Sequence, residues 1–159
     1  TMNFLTEHGI SSYGELESKL TAVSARRDTA HAEIKRIESR SAELTLVMKH
    51  AETYRQLKPL YERYRKSNDK EKFLRGHESE IILFEAAARE LKRLGTVPLP
   101  TTESMKTELA NLNAEKERLL AEYKAARTEA QEYDTVKQNV DALLAVPKEQ
   151  EQQRRHELE

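Results

Sequence analysis

Apolar side chains recur at alternating three- and four-residue steps from Tyr13 onward. They fall at Tyr13, Leu16, Leu20, Val23, Ala30, Ile34, Ile37, Leu44, Met48 and Ala51, with Arg27 and Ser41 as polar breaks in the stripe. Glu, Lys, Arg, Ser and Thr dominate the positions between. A stripe of this period predicts a long helix that packs on another helix along a narrow seam. A second stripe follows late in the chain: Met105, Leu109, Leu112, Lys116, Leu119, Tyr123, Ala126, Ala130, Tyr133, Lys137, Val140 and Leu144. A shorter one, Ile81, Phe84, Ala88, Leu91 and Leu94, predicts a helix over 77–95.

Local signals place the element ends. Ser12 followed three residues later by Glu15 reads as a capping box, so the first long helix should begin near Tyr13. Pro59 predicts a kink or break between Leu57 and Leu60, because it removes the bond to the Arg55 carbonyl and clashes there. Lys58 is a poor cap, which favours a kink and a helix that continues to about Lys66. One of Ser67, Asn68 and Asp69 should cap the next helix. Gly76 reads as a break between a short Lys70–Arg75 stretch and the 77–95 helix, and Gly95 closes that helix. The run Thr96-Val97-Pro98-Leu99-Pro100 is expected to be irregular, since each Pro disfavours helix in the residue before it. Thr101 or Thr102 caps the last helix, and Val146-Pro147 should end it. Met2 to His8 reads as the closing turns of a helix that starts outside this chain, stopped by Gly9. Lys148 to Glu159 reads as a polar tail or frayed helix, and its Leu158-Glu159 end resembles a cloning scar.

Tyr13 to Leu57 and Thr102 to Leu144 have matched lengths of 45 and 43 residues. At about 1.5 Å per residue each spans roughly 65 Å. Antiparallel pairing would set Leu57 near Thr102, Tyr13 near Leu144, and Arg27 near Glu129 and Glu132. The expected fold is therefore all-α: an elongated, coiled-coil-like antiparallel shaft of long helices (13–57 with 102–144) with a small helical head (58–101). A three-helix bundle, with the 77–95 helix packed along the shaft, is the alternative. On this reading residues 1–10 end a preceding helix, 11–145 form one helical module and 146–159 are tail. Arg27, Ser41, Lys116 and Lys137 weaken the seam and serve to fix its register. Ala86-Ala87-Ala88 allows close helix approach and reads as packing.

Composition narrows the function classes. Charged residues make up 35% and apolar residues 37% of 159, with 4 Gly and 4 Pro, a balance that suits long helices with much surface. The net charge of -1 means that any nucleic-acid contact must come from a local patch. The chain has no Cys, which excludes disulfides and thiolate metal sites and fits a reducing compartment, so the cytoplasm is the expected location. No apolar run approaches the about 20 residues of a membrane span. His8, His31, His50, His77 and His156 lie too far apart for a helical metal pair. No Ser, His and acid spacing suggests a nucleophile, and no Gly-rich loop suggests a phosphate cradle. No catalytic, cofactor-binding or metal-binding residue is expected, and the fragment reads as non-enzymatic.

One segment departs from this balance. Arg55, Lys58, Arg63, Arg65, Lys66, Lys70, Lys72 and Arg75 face only Glu62, Asp69 and Glu71, so residues 55–75 carry +5. Tyr54, Tyr61, Tyr64 and Phe73 are interleaved. One reading is a DNA contact, with cations on phosphates and a tyrosine available to stack on a base. The other makes Tyr54, Leu57, Tyr61 and Tyr64 a packing seam and the cations a solvated face; the helical spacing of the rings favours this one. The cations remain candidate DNA contacts on either reading.

Several strings carry a family resemblance. Asn3-Phe4-Leu5-Thr6-Glu7-His8-Gly9-Ile10, then Ser12-Tyr13-Gly14-Glu15-Leu16, is similar to a segment that follows the catalytic domain in relaxases, the mobilisation nucleases of Firmicutes mobile elements. So is Lys72-Phe73-Leu74-Arg75-Gly76-His77-Glu78-Ser79-Glu80-Ile81-Ile82-Leu83. Leu99-Pro100-Thr101, Glu115-Lys116, Glu122-Tyr123 and Asn139-Val140-Asp141 also fit, so the likeness covers residues 3–145. The resemblance implies a C-terminal helical accessory region of a protein that nicks DNA at a transfer origin with a tyrosine and a histidine-held metal. That chemistry would lie in another domain; no catalytic residue carries over to this chain. The expected partners are DNA, conjugation or mobilisation proteins, or a second copy in a homodimer.

Overall fold

The computed structural model describes residues 1–96 and 98–158, with side chains at all of these except 146–150. Its elements are α1 (Met2–Glu7), α2 (Tyr13–Lys66), α3 (Lys70–Arg93) and α4 (Thr102–Leu158). The fold is all-α, and the described residues contain no strand. They divide into two compact units: Thr1–Lys35 with Lys116–Glu159, and Arg36–Glu115.

The ends of the helices follow from side-chain chemistry. Gly9 at φ +64° and Gly95 at φ +69° take the left-handed conformation that stops a helix, just after α1 and α3. The Glu15 amide donates to Ser12 Oγ at 3.2 Å, half of the expected capping box. The return bond goes one residue further back: Glu15 Oε2 accepts from the Ser11 amide at 2.8 Å and from Ser11 Oγ at 3.1 Å. These bonds hold the Glu15 carboxyl below its ordinary range. Asp69 caps α3 by accepting from the Lys72 amide at 3.1 Å, and Thr101 caps α4 by accepting from the Ser104 amide at 3.1 Å. Asp69→Ala should cost about 1 kcal/mol, read as a lower urea midpoint at unchanged slope.

α2 is not split at Pro59 and continues to Lys66, as expected. Tyr54 and Tyr61, on either side of that proline, both pack on Phe84 of α3, so tertiary contact holds the turns that the proline weakens. The break in α3 falls on His77 (φ -136°, ψ 24°), one residue after Gly76. α4 does not end at Val146-Pro147 but runs to Leu158. A proline disturbs only the turn before it, and the Lys, Glu, Gln and Arg residues that follow are good helix formers. Val97, within the expected irregular run, and Glu159, at the end of the expected tail, lie outside the described residues.

In the first unit, Leu16 and Val23 of α2 meet Ala130, Tyr133 and Val136 of α4, with Phe4, Leu5 and Ile10 packed against them. The Phe4 ring stacks on His8 at 4.0 Å and meets the edge of Tyr133 at 5.0 Å. Lys19 Nζ donates to the His8 carbonyl at 2.7 Å, tying the end of α1 to α2. The two long helices run antiparallel in lockstep. Tyr13 Oη donates to Asp141 Oδ1 at 2.6 Å, which pushes the phenol above its usual value, and the His31 ring lies 5.5 Å from that of Tyr123. Moving 18 residues along α2, from Tyr13 to His31, thus moves 18 residues back along α4, from Asp141 to Tyr123. Arg26, rather than Arg27, pairs with Glu129 at 3.5 Å; Arg27 turns to Asp28 at 3.1 Å. Leu144, expected on the seam, is 55% exposed, because α4 has by then passed the first residue of α2.

In the second unit, α3 lies back along α2. Ile37, Leu44, Val47 and Ala51 of α2, Ile81, Phe84, Ala87 and Leu91 of α3, and Met105 and Leu112 of α4 are all buried. Ala87 takes the buried place expected of Ala88, since steps of three and four are equally compatible with a helix face. The Arg40 guanidinium forks onto Glu108, at 2.7 Å and 3.2 Å, across α2 and α4.

Candidate nucleic-acid interface

The second unit carries the basic segment on the last turns of α2 and the first turns of α3. Arg55, Lys58, Arg63, Arg65, Lys66, Lys70, Lys72 and Arg75 are all exposed. Those near the C-terminus of α2 also sit where the helix dipole favours positive charge.

The structure sorts these cations into committed and uncommitted groups. Arg55 donates to Thr102 Oγ1 at 2.6 Å and to the Pro100 carbonyl at 2.5 Å, so its guanidinium ties α2 to the start of α4. Arg63 lies over the Phe73 ring at 5.7 Å, and Lys58 over the Tyr54 ring at 5.8 Å. Arg75 makes a long 3.5 Å contact with the Glu71 carbonyl. The side chains of Arg65, Lys66, Lys70 and Lys72 make no hydrogen bond or ion pair among the described residues. Their charge is left for solvent or an outside anion.

The aromatic residues form a ladder between the helices. Phe84, only 6% exposed, is stacked by Tyr54 at 4.9 Å and by Tyr61 at 4.3 Å. Tyr61 leads to Tyr64 at 5.9 Å, Tyr64 to Phe73 at 6.1 Å, and Phe73 to His77 at 4.7 Å. Ring faces used in this way hold α3 on α2. The hydroxyls of Tyr54, Tyr61 and Tyr64 make no hydrogen bond among the described residues.

Beside the ladder runs an open groove of about 420 Å³, lined by Tyr54, Lys58, Tyr61, Glu62, Arg65, Phe84, Glu85, Ala88 and Arg89. It brings Lys58 and Arg65, seven residues apart on α2, together with Arg89 of α3. Arg89 lies outside the basic run of the sequence. Its signal was its step from Glu85, which flanks the Phe84–Ala88 stripe as Lys58 and Arg65 flank Tyr54 and Tyr61.

Among the described residues, no cluster of His, Cys, Asp and Glu could hold a metal ion, and no helix is long and apolar enough to cross a membrane. No protein-family model, curated protein or solved structure matches the chain.

Proposed function

We propose that the chain is a non-catalytic helical accessory region, of the kind found in conjugative relaxases, that supports DNA mobilisation by holding DNA against its basic segment. The observation that carries this reading is the set of exposed cations with no carboxylate partner at the junction of α2 and α3. The relaxase-like strings support the mobilisation setting, and contact with DNA would place the chain in the cytoplasm. Phosphate contact of this kind is sequence-independent and weakens steeply with salt.

The test is fluorescence anisotropy with labelled single- and double-stranded DNA at low and physiological salt. Reversing Arg63, Arg65 and Lys66 to Glu takes residues 55–75 from +5 to -1. The expected loss of affinity is at least about tenfold, with a shallower salt dependence. Absence of wild-type binding at tens of micromolar, even at low salt, would remove the DNA reading.

A second reading, a protein-docking or self-association module, is favoured by Ile82 and Leu83 of α3, which are 56% and 55% exposed side by side. It requires a mass that rises with concentration in sedimentation and falls back in Ile82→Ser.

A further inference from the structure

Resting on the DNA reading, we infer that the α2–α3 groove seats the phosphodiester backbone of a DNA duplex, with Arg89 as a contact and the tyrosines serving as hydroxyl donors rather than base platforms. Three features of the groove lead there. Its cations, Lys58, Arg65 and Arg89, come from both walls, so an anion in it meets positive charge from two helices. Lys58 and Arg65 are two helical turns apart, about 10 Å, which gives the groove length along a strand rather than a point site. The phenols of Tyr54 and Tyr61 line the same space, and their hydroxyls have no partner among the described residues. Tyrosine hydroxyls, with Arg and Lys, are regular donors to phosphate oxygens.

The same geometry argues against single-stranded DNA. Single strands are held largely by bases stacking on aromatic faces. Here Tyr54 and Tyr61 each give one face to Phe84, and Lys58 lies over the Tyr54 ring, which leaves little aromatic surface for bases. Backbone contact is then the larger share, and a duplex offers the denser row of phosphates, about one charge per 1.7 Å of axis. Glu62 and Glu85 also line the groove and oppose an anion there. They therefore give a test of opposite sign.

The experiment titrates the full chain with labelled duplex and with the matching single strand over a series of salt concentrations. Arg89→Ala should weaken duplex binding several-fold and make the log-log salt slope shallower by about 0.9. Tyr61→Phe keeps the ring stack and removes one donor, so affinity should fall about threefold with the salt slope unchanged. Glu85→Gln should tighten binding. The duplex should bind more tightly than the single strand. Circular dichroism melts of each variant separate these effects from loss of fold. If Arg89→Ala and Tyr61→Phe bind as wild type while the Arg63, Arg65, Lys66 reversal abolishes binding, the groove assignment falls and the broader DNA reading stands. Preference for the single strand also overturns the groove assignment. If the wild-type chain binds neither DNA, both readings fall together.

Discussion

Phe84→Ala should detach α3 from α2 and cost about 3–5 kcal/mol, the range for removing a buried aromatic side chain. Phe84 is the ring of α3 on which two tyrosines of α2 stack. Tyr54 and Tyr61 close on it from positions two turns apart on α2, and Ile81, Ala87 and Leu91 are buried beside it on α3. Truncation removes the burial, both stacking contacts and the floor of the groove. The loss should appear as collapse of the near-ultraviolet tyrosine signal and faster amide exchange along α3, at temperatures where most far-ultraviolet helicity remains. Phe84→Leu keeps most of the apolar volume and should cost about half as much, the difference reflecting the ring pairs. DNA affinity should fall with Phe84→Ala, since the cations on the two walls would no longer share one groove. Unchanged exchange in α3 would show that Phe84 does not anchor it.

Ile37→Ala is the second large effect. Ile37 is 0% exposed on α2. Loss of a buried branched side chain costs about 2–5 kcal/mol, with the spread set by how far the surroundings collapse. Ala is the better helix former by a few tenths of a kcal/mol, which offsets a little of this. A net loss of about 3 kcal/mol corresponds to a fall of about 10 °C in the thermal midpoint for a chain of this size. Ile37→Val should lose about 1 kcal/mol. A fall of under 2 °C for the alanine variant would mean that the site closes over the cavity.

The legible parts of this fold are those whose physics is local. Gly9, Gly95 and the Ser12–Glu15 start act within a turn of themselves and lie where expected, though the Glu15 return bond goes to Ser11, and Asp69 and Thr101 are the caps chosen from three and two candidates. The stripes of α2 and α4 are legible for the same reason, because one helix face is set by period, although Val47 and Val136 take the buried places expected of Met48 and Lys137. What the sequence leaves open depends on a neighbour. Whether Ala87 or Ala88 is buried, whether Arg26 or Arg27 meets Glu129, and whether the helix survives Pro59 are each settled by the packed partner. Leu144 continues a stripe past the start of the helix opposite, so the pattern persists where the partner does not. In the candidate site, the basic run is plain in the sequence, but its sorting is not. Nothing local says that Arg55 is spent on Thr102 and Pro100, or that Arg89, far along α3, joins Lys58 and Arg65.

The lockstep of Tyr13 with Asp141 and His31 with Tyr123 limits how this chain can change length. The 18 residues between the two contacts on each helix make five full turns at 3.6 residues per turn, so both contacts fall on the same faces. Deleting a single residue between Tyr13 and His31 would rotate everything on one side of the cut by about 100° and turn the apolar stripe outward. Loss of a seven-residue block from one helix alone would keep the faces but slide the partners by about 10 Å. Only equal blocks, removed from or added to both helices at the same level, preserve the pairing. Insertions and deletions in this region should therefore come as matched pairs, one in each arm, even though the two sites lie between 92 and 128 residues apart in the sequence.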